Sequence, residues 1–184
     1  MEKVDIKKIK PAKNYSNALF ETAKELGRNE KVLNELEYIV DLISKNDHLK
    51  EFLNNPVISK DDKKSVLSQV FDGILSDITT DFLLLLNDNS RLDLLEAVLV
   101  QYTKKMDEEL NIERPNVISA VELSDDYKNT IIQKLESKLN SKVLPRFEVE
   151  PSIIGGLIIE VKDKTIDFSL NTKFKNMSKQ LIKG

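Results

Sequence analysis

Glu113-Arg114-Pro115-Asn116-Val117-Ile118-Ser119-Ala120-Val121 is where this chain changes character. Upstream of it apolar residues return at helical spacing; from Asn116 the run is short, β-branched and without that period, as expected of a strand. Pro115 disfavours helix in the residue before it, so the change of period coincides with a natural boundary. The reading is a two-part α+β chain, with an N-terminal six-helix bundle over residues 1–111 and a small C-terminal α+β domain over residues 116–184.

Working back from that boundary, a first helix has Pro11 in its opening turn. It repeats Tyr15, Ala18, Leu19, Thr22 and Leu26, and stops at Gly27 in a left-handed conformation. A second carries Val32, Leu33, Leu36, Ile39, Val40 and Ile43, and a short third, around Leu49, Phe52 and Leu53, ends before Pro56. The fourth starts at Ser59, whose hydroxyl is placed to cap the amides of Asp61 and Asp62. A fifth spans Ile78 to Asp88, and a sixth follows Ser90, with Asp93 positioned for a capping box, and runs to Asn111.

Working forward, Ser124 with Asp125 and Asp126 starts a helix striped by Ile131, Ile132, Leu135 and Leu139. Val143 to Val149 and Leu157 to Val161 read as strands, and a further strand, Thr165 to Phe168, follows a hairpin loop at Lys162-Asp163-Lys164. Phe174, Met177, Leu181 and Ile182 read as a closing helix.

Composition removes most chemistries. With 184 residues there is enough chain for two small cores, and 28 Lys+Arg against 31 Asp+Glu give a net charge of −3, without the basic excess of a nucleic-acid binder. No cysteine means no disulfide, thiolate metal site or Cys nucleophile, and a single histidine, His48, rules out a two-histidine zinc motif. No apolar run reaches the roughly 20 residues that span a bilayer. The N-terminus alternates charged and apolar residues rather than forming a signal peptide, so the expected location is cytosolic.

The remaining motifs read as structural. Asn87-Asp88-Asn89-Ser90-Arg91 opens like a calcium loop but places Arg91 and Leu92 where a ligand and a glycine are required, so a helix-helix turn is preferred. Gly155-Gly156 precedes a strand and reads as a tight turn, not a phosphate cradle. Asp61-Asp62, Glu108-Glu109 and Asp125-Asp126 sit at helix ends as solvated pairs, and His48 has no nucleophile to serve. The expectation is a non-enzyme with no cofactor and no metal. The oddity is Phe82-Leu83-Leu84-Leu85-Leu86, which covers more than one face of a helix. Either that helix is central to the bundle or a partner helix docks on its free face.

In order and spacing, six fragments carry a resemblance. They are Tyr15-Ser16-Asn17-Ala18-Leu19-Phe20, Phe52-Leu53-Asn54-Asn55-Pro56-Val57-Ile58, Asn89-Ser90-Arg91-Leu92, Val117 to Ser124, Gly155-Gly156-Leu157-Ile158-Ile159, and Ile166-Asp167-Phe168-Ser169-Leu170. From Tyr15 to Leu181 the chain resembles the delta subunits of F-type ATP synthase, relatives of the mitochondrial oligomycin-sensitivity-conferring protein. It departs from their usual pattern at Asn89-Ser90, where Asn-Gly is common, and at Lys162-Asp163-Lys164. The resemblance implies a non-catalytic stator subunit on the cytoplasmic face of the cell membrane, peripheral to it as part of the complex. Residues 1–111 would bind the N-terminal helix of an alpha subunit of the catalytic head, and residues 116–184 the b subunits of the peripheral stalk, so that rotor torque drives ATP synthesis. A free-standing helix-binding adaptor is the alternative. Joined to the excess apolar surface of the fifth helix, the resemblance places the docking groove between helices one and five, at Tyr15, Ala18, Thr22, Asp81 and Leu85.

Overall fold

The computed structural model describes residues 6–162, 164–174 and 177, and the chain divides into two compact units, Met1–Met106 and Asp107–Gly184. The first unit is helical: α1 (Ile6–Glu25), α2 (Asn29–Lys45), α3 (Asp47–Asn54), α4 (Lys60–Phe71), α5 (Asp77–Asp88), a short 3-10 turn at Leu92–Leu94, and α6 (Leu95–Glu109), which runs through the division. Its core uses the predicted stripe of α2, with Leu36 and Ile39 fully buried beside Phe20, Leu86, Val98 and Tyr102. On α1 the buried face is rotated from the expected one, since Ala12, Leu19, Phe20 and Ala23 are buried while Ala18, Thr22 and Leu26 are exposed.

Local signals set most of the helix ends. Gly27, at φ +64°, lets the Arg28 amide reach the Ala23 carbonyl at 2.8 Å while its own amide reaches Lys24 at 3.0 Å, closing α1 in a left-handed turn. The same double closure ends α5, where the Arg91 amide bonds Leu86 at 2.8 Å and the Ser90 amide bonds Asn87 at 2.9 Å. Ser90 itself holds φ +54°. Serine thus adopts the glycine-like geometry, and the helix-helix turn is formed without the glycine. Ser59 caps α4, although its side chain accepts only the Asp62 amide, at 3.1 Å.

Two helix starts differ from the expected ones. Helix α1 begins at Ile6, so Pro11 lies inside it rather than in its opening turn. The amide that proline lacks would have served a carbonyl one turn earlier, near the helix start, where solvent can satisfy it. Asp93 makes no capping box, because the chain enters α6 through the 3-10 turn. The Asp93 carboxylate instead pairs with Lys8 of α1 at 2.8 Å.

The start of α5 is capped from another helix. The Glu35 carboxylate of α2, buried in the core, accepts the Ser76 amide at 2.9 Å, the Ser76 hydroxyl at 2.6 Å and the Thr79 hydroxyl. A negative charge at a helix N-terminus, with its oxygens satisfied, is favoured by the helix dipole and locks α2 to α5. On the other side, α6 meets α1 through the rings of Tyr102 and Phe20, 5.4 Å apart and tilted by 60°, and a Lys105 to Glu21 ion pair at 2.6 Å.

The second unit contains β1 (Ile112–Glu113), β2 (Asn116–Ser119), α7 (Asp125–Leu139), β3 (Lys142–Val143), β4 (Arg146–Val149), a 3-10 turn at Pro151–Ile153, β5 (Leu157–Val161) and β6 (Lys164–Asp167), with residues 170–174 again helical. The four-stranded sheet runs β4-β2-β5-β6. β2 and β4 are parallel and joined through α7, and the remaining neighbours are antiparallel. A separate parallel ladder joins β1 to β3. The β2 strand stops at Ser119, before the expected Val121, because the Ser119 hydroxyl turns the chain by donating to the Val121 carbonyl at 2.7 Å. Lys164 pairs with Val161 and belongs to β6, not to the loop. Ser124 precedes α7 in extended conformation without a side-chain cap bond. Leu181 and Ile182 of the expected closing helix lie outside the described residues.

Candidate functional site

Helix α5 resolves the excess of apolar residues in Phe82 to Leu86. Phe82, Leu83 and Leu86 are buried, Leu84 is half-buried, and Leu85 remains 49% exposed. The core therefore uses one broad face of the helix and leaves Leu85 on the other. α1 packs on α5 through Tyr15, a half-buried side chain whose ring meets Phe82 edge-on at 6.4 Å and 73°. Edge-to-face contact satisfies the ring quadrupoles and fixes the seam between the two helices.

Ala18 and Thr22 follow Tyr15 at helical spacing and are exposed. The Thr22 hydroxyl donates to the Ala18 carbonyl at 3.0 Å, so covering Thr22 would leave no donor unsatisfied. Asp81, one turn before Leu85, borders a hollow of about 580 Å³ between α4 and α5. Asp72 and Asp77 line the same hollow, and none of the described residues lining it is basic. The five residues thus fall on two helices that touch: an aromatic anchor at the seam, two small exposed positions, an exposed leucine and an acidic edge.

The other motifs take structural places. Gly156 holds φ +84°, and a Cβ there would sit 2.3 Å from the Phe168 carbonyl oxygen, so the glycine pair lets two backbones approach. Asp61-Asp62 and Asp125-Asp126 occupy the first turns of α4 and α7, and His48 is exposed in α3. Among the described residues three groups have displaced pKa values. Lys105 holds the Glu21 carboxyl below its usual range through a hydrogen bond and its charge, Glu113 raises the Lys162 ammonium in the same way, and burial pushes the Tyr102 phenol up.

One surface was not singled out by the sequence. In the second unit a groove of about 570 Å³ runs along α7, lined by Tyr127, Ile131 and Leu135 and facing Leu157, Ile166 and Phe168. Its cause is geometric. A helix is about 10–12 Å wide and strands lie about 4.8 Å apart, so one helix cannot cover four strands. Val117 and Ile159 are buried under α7, while Ile166, paired with Ile159 on the edge strand, stays 40% exposed. The signal was Tyr127, one turn before Ile131 on the same helical stripe.

The geometry so far shows a helical unit and a small α+β unit, each leaving large apolar side chains open at its surface. The family described as ATP synthase delta (OSCP) subunit matches residues 12–181 of this chain. ATP synthase subunit delta of Clostridium kluyveri is 35% identical over 172 residues, 94% of this chain and 95% of its own length. The subunit of the same name from Rickettsia bellii is 32% identical over 169 residues, covering 91% and 89%. Among solved structures, a chain of the Toxoplasma gondii mitochondrial ATP synthase hexamer shares the fold, with a TM-score of 0.72 at 21% identity over 93% of this chain and 97% of that one. The chain belongs to the ATP synthase delta (OSCP) subunit family, and is thus a structural stator subunit of F-type ATP synthase rather than a catalytic one. Among the described residues no helix is long and apolar enough to cross a membrane.

Proposed function

We propose that the helical N-terminal part, residues 1–111, read as a six-helix bundle, seats on the catalytic head by taking the N-terminal helix of an alpha subunit against Tyr15, Ala18, Thr22, Asp81 and Leu85, while residues 116–184 hold the ends of the b subunits. The complex would sit at the cytoplasmic face of the cell membrane, with this chain peripheral to it. The observation that carries the reading is Leu85, an aliphatic side chain left half outside on a helix whose neighbours Phe82, Leu83 and Leu86 are buried. Ala18 and Thr22 let another backbone come close, Tyr15 supplies a rigid amphipathic contact, and the acidic edge at Asp81 favours a partner helix with a basic flank.

The role is mechanical. A rotor turning inside the head would carry the head with it unless a static link resisted the torque, and such a link needs interfaces that dissociate slowly. Affinity purification of the tagged chain from native membranes tests the reading: alpha, beta and b subunits should come down together. Recovery of the chain without either head or stalk would make it a free-standing adaptor.

A further inference from the structure

The groove along α7 is strongly apolar, and its rim carries charge of one sign among the described residues. Lys134 and Lys138, one turn apart on α7, are the only charged side chains among the described residues lining it. Both are exposed, and neither makes an ion pair among the described residues. The floor is aliphatic and aromatic, with Tyr127 68%, Phe168 54% and Ile154 60% exposed. Three large apolar groups left this open around one hollow exceed the scattered apolar exposure that is ordinary on a soluble surface.

We infer that this groove receives an amphipathic helix whose apolar stripe is bordered by carboxylates one turn apart, with Lys134 and Lys138 pairing those carboxylates and fixing the helix's register and direction. The inference rests on the reading above that this unit holds the stalk. Charge complementarity selects the occupant. The chain's own end, from Ser169 onward, carries Lys173, Lys175, Lys179 and Lys183 and no acidic residue, so laid in the groove it would bring like charge to a basic rim. An acidic-flanked helix instead gains two ion pairs at the edge of an apolar contact, where water is partly excluded and the attraction exceeds that of a free surface pair. Lysine stems also lie along apolar surface while their ammonium groups reach the rim, which lengthens the groove's apolar wall.

The test uses the full chain and a synthetic peptide spanning the C-terminal helix of the b subunit from the same organism, titrated calorimetrically at low and high salt. Wild type should bind, with affinity falling as salt rises. Lys134→Glu with Lys138→Glu should weaken binding by about tenfold or more at low salt and remove or invert the salt dependence, and Lys134→Arg with Lys138→Arg should restore it. Phe168→Asp should weaken binding at both salts. The double Glu variant should melt with wild type, since both positions are exposed.

Binding by wild type with unchanged affinity and salt slope in the charge-reversed chain would overturn the groove assignment and leave the stalk reading standing. No binding of the peptide to wild type would overturn both. Tighter peptide binding after deletion of residues 175–184 would make the chain's own tail the occupant. A dimer in sedimentation that the Phe168→Asp variant abolishes would make it a second copy.

Discussion

Leu85→Asp isolates the proposed head-binding face more cleanly than any other substitution in it. Leu85 is 49% exposed, so a partner covering it removes roughly 80 Å² of aliphatic surface from water, worth about 2 kcal/mol at about 25 cal/mol per Å². Aspartate forfeits that contact and brings a carboxylate into an apolar junction beside Asp81, adding roughly 1–2 kcal/mol. The expected loss is about 3 kcal/mol, or roughly a hundredfold in Kd. The isolated fold should lose only about 1 kcal/mol, mostly from helix propensity, because the side chain is not part of the buried core. Tyr15→Ala would be a poorer probe, since the ring packs on Phe82 and its loss would damage the α1 to α5 seam itself. Titration calorimetry with the alpha-subunit N-terminal peptide, alongside a thermal melt of each variant, reads both numbers. Unchanged affinity in a folded Leu85→Asp chain refutes the docking face, and a collapsed melting temperature refutes the claim that Leu85 lies outside the core.

Gly156→Ala should cost about 3 kcal/mol or more, because the new Cβ meets the Phe168 carbonyl oxygen at 2.3 Å in a backbone already at φ +84°; amide exchange should show protection lost in β5 and β6 and kept in α1 to α6. Ser90→Gly should stabilise the chain by about 1 kcal/mol, since a left-handed residue without a Cβ is unstrained, and an unshifted denaturation midpoint would contradict the turn geometry. The Tyr102 phenol is held above its free value of 10.0, so the stability it lends is complete below that pH and lost as pH rises beyond it. Tyr102→Phe should therefore flatten the alkaline limb of a pH-stability curve. Glu21 has the opposite sign: its lowered pKa lends stability above the ordinary carboxylate range that disappears in acid, and Glu21→Gln should differ from wild type only on the neutral side. Residues 1–111 alone should fold, retaining the whole of α6; a molten spectrum by NMR would show that the second unit completes its core.

The sequence by itself determined what depends on neighbours along the chain. Apolar period marked the helices, Gly27 and Pro56 ended two of them, Ser59 started another, and the β-branched run at Asn116 opened the sheet, because periodicity and capping are local physics. The run of leucines announced that α5 has more apolar surface than one stripe needs. Only the tertiary structure decided which of those leucines stays outside, since that depends on the volume left between α1, α2 and α4. It also decided that a buried glutamate on α2 caps α5, an arrangement between Glu35 and Ser76 with no spacing to betray it. Asp93 stood at a capping position in the sequence and instead bonds to Lys8, a partner far away in the chain but near in space. The groove beside α7 follows the same rule. Tyr127 and Phe168 were visible as residues, but their exposure around a common hollow arises from one helix lying on a sheet too wide for it, a mismatch of widths that exists only once the strands have paired.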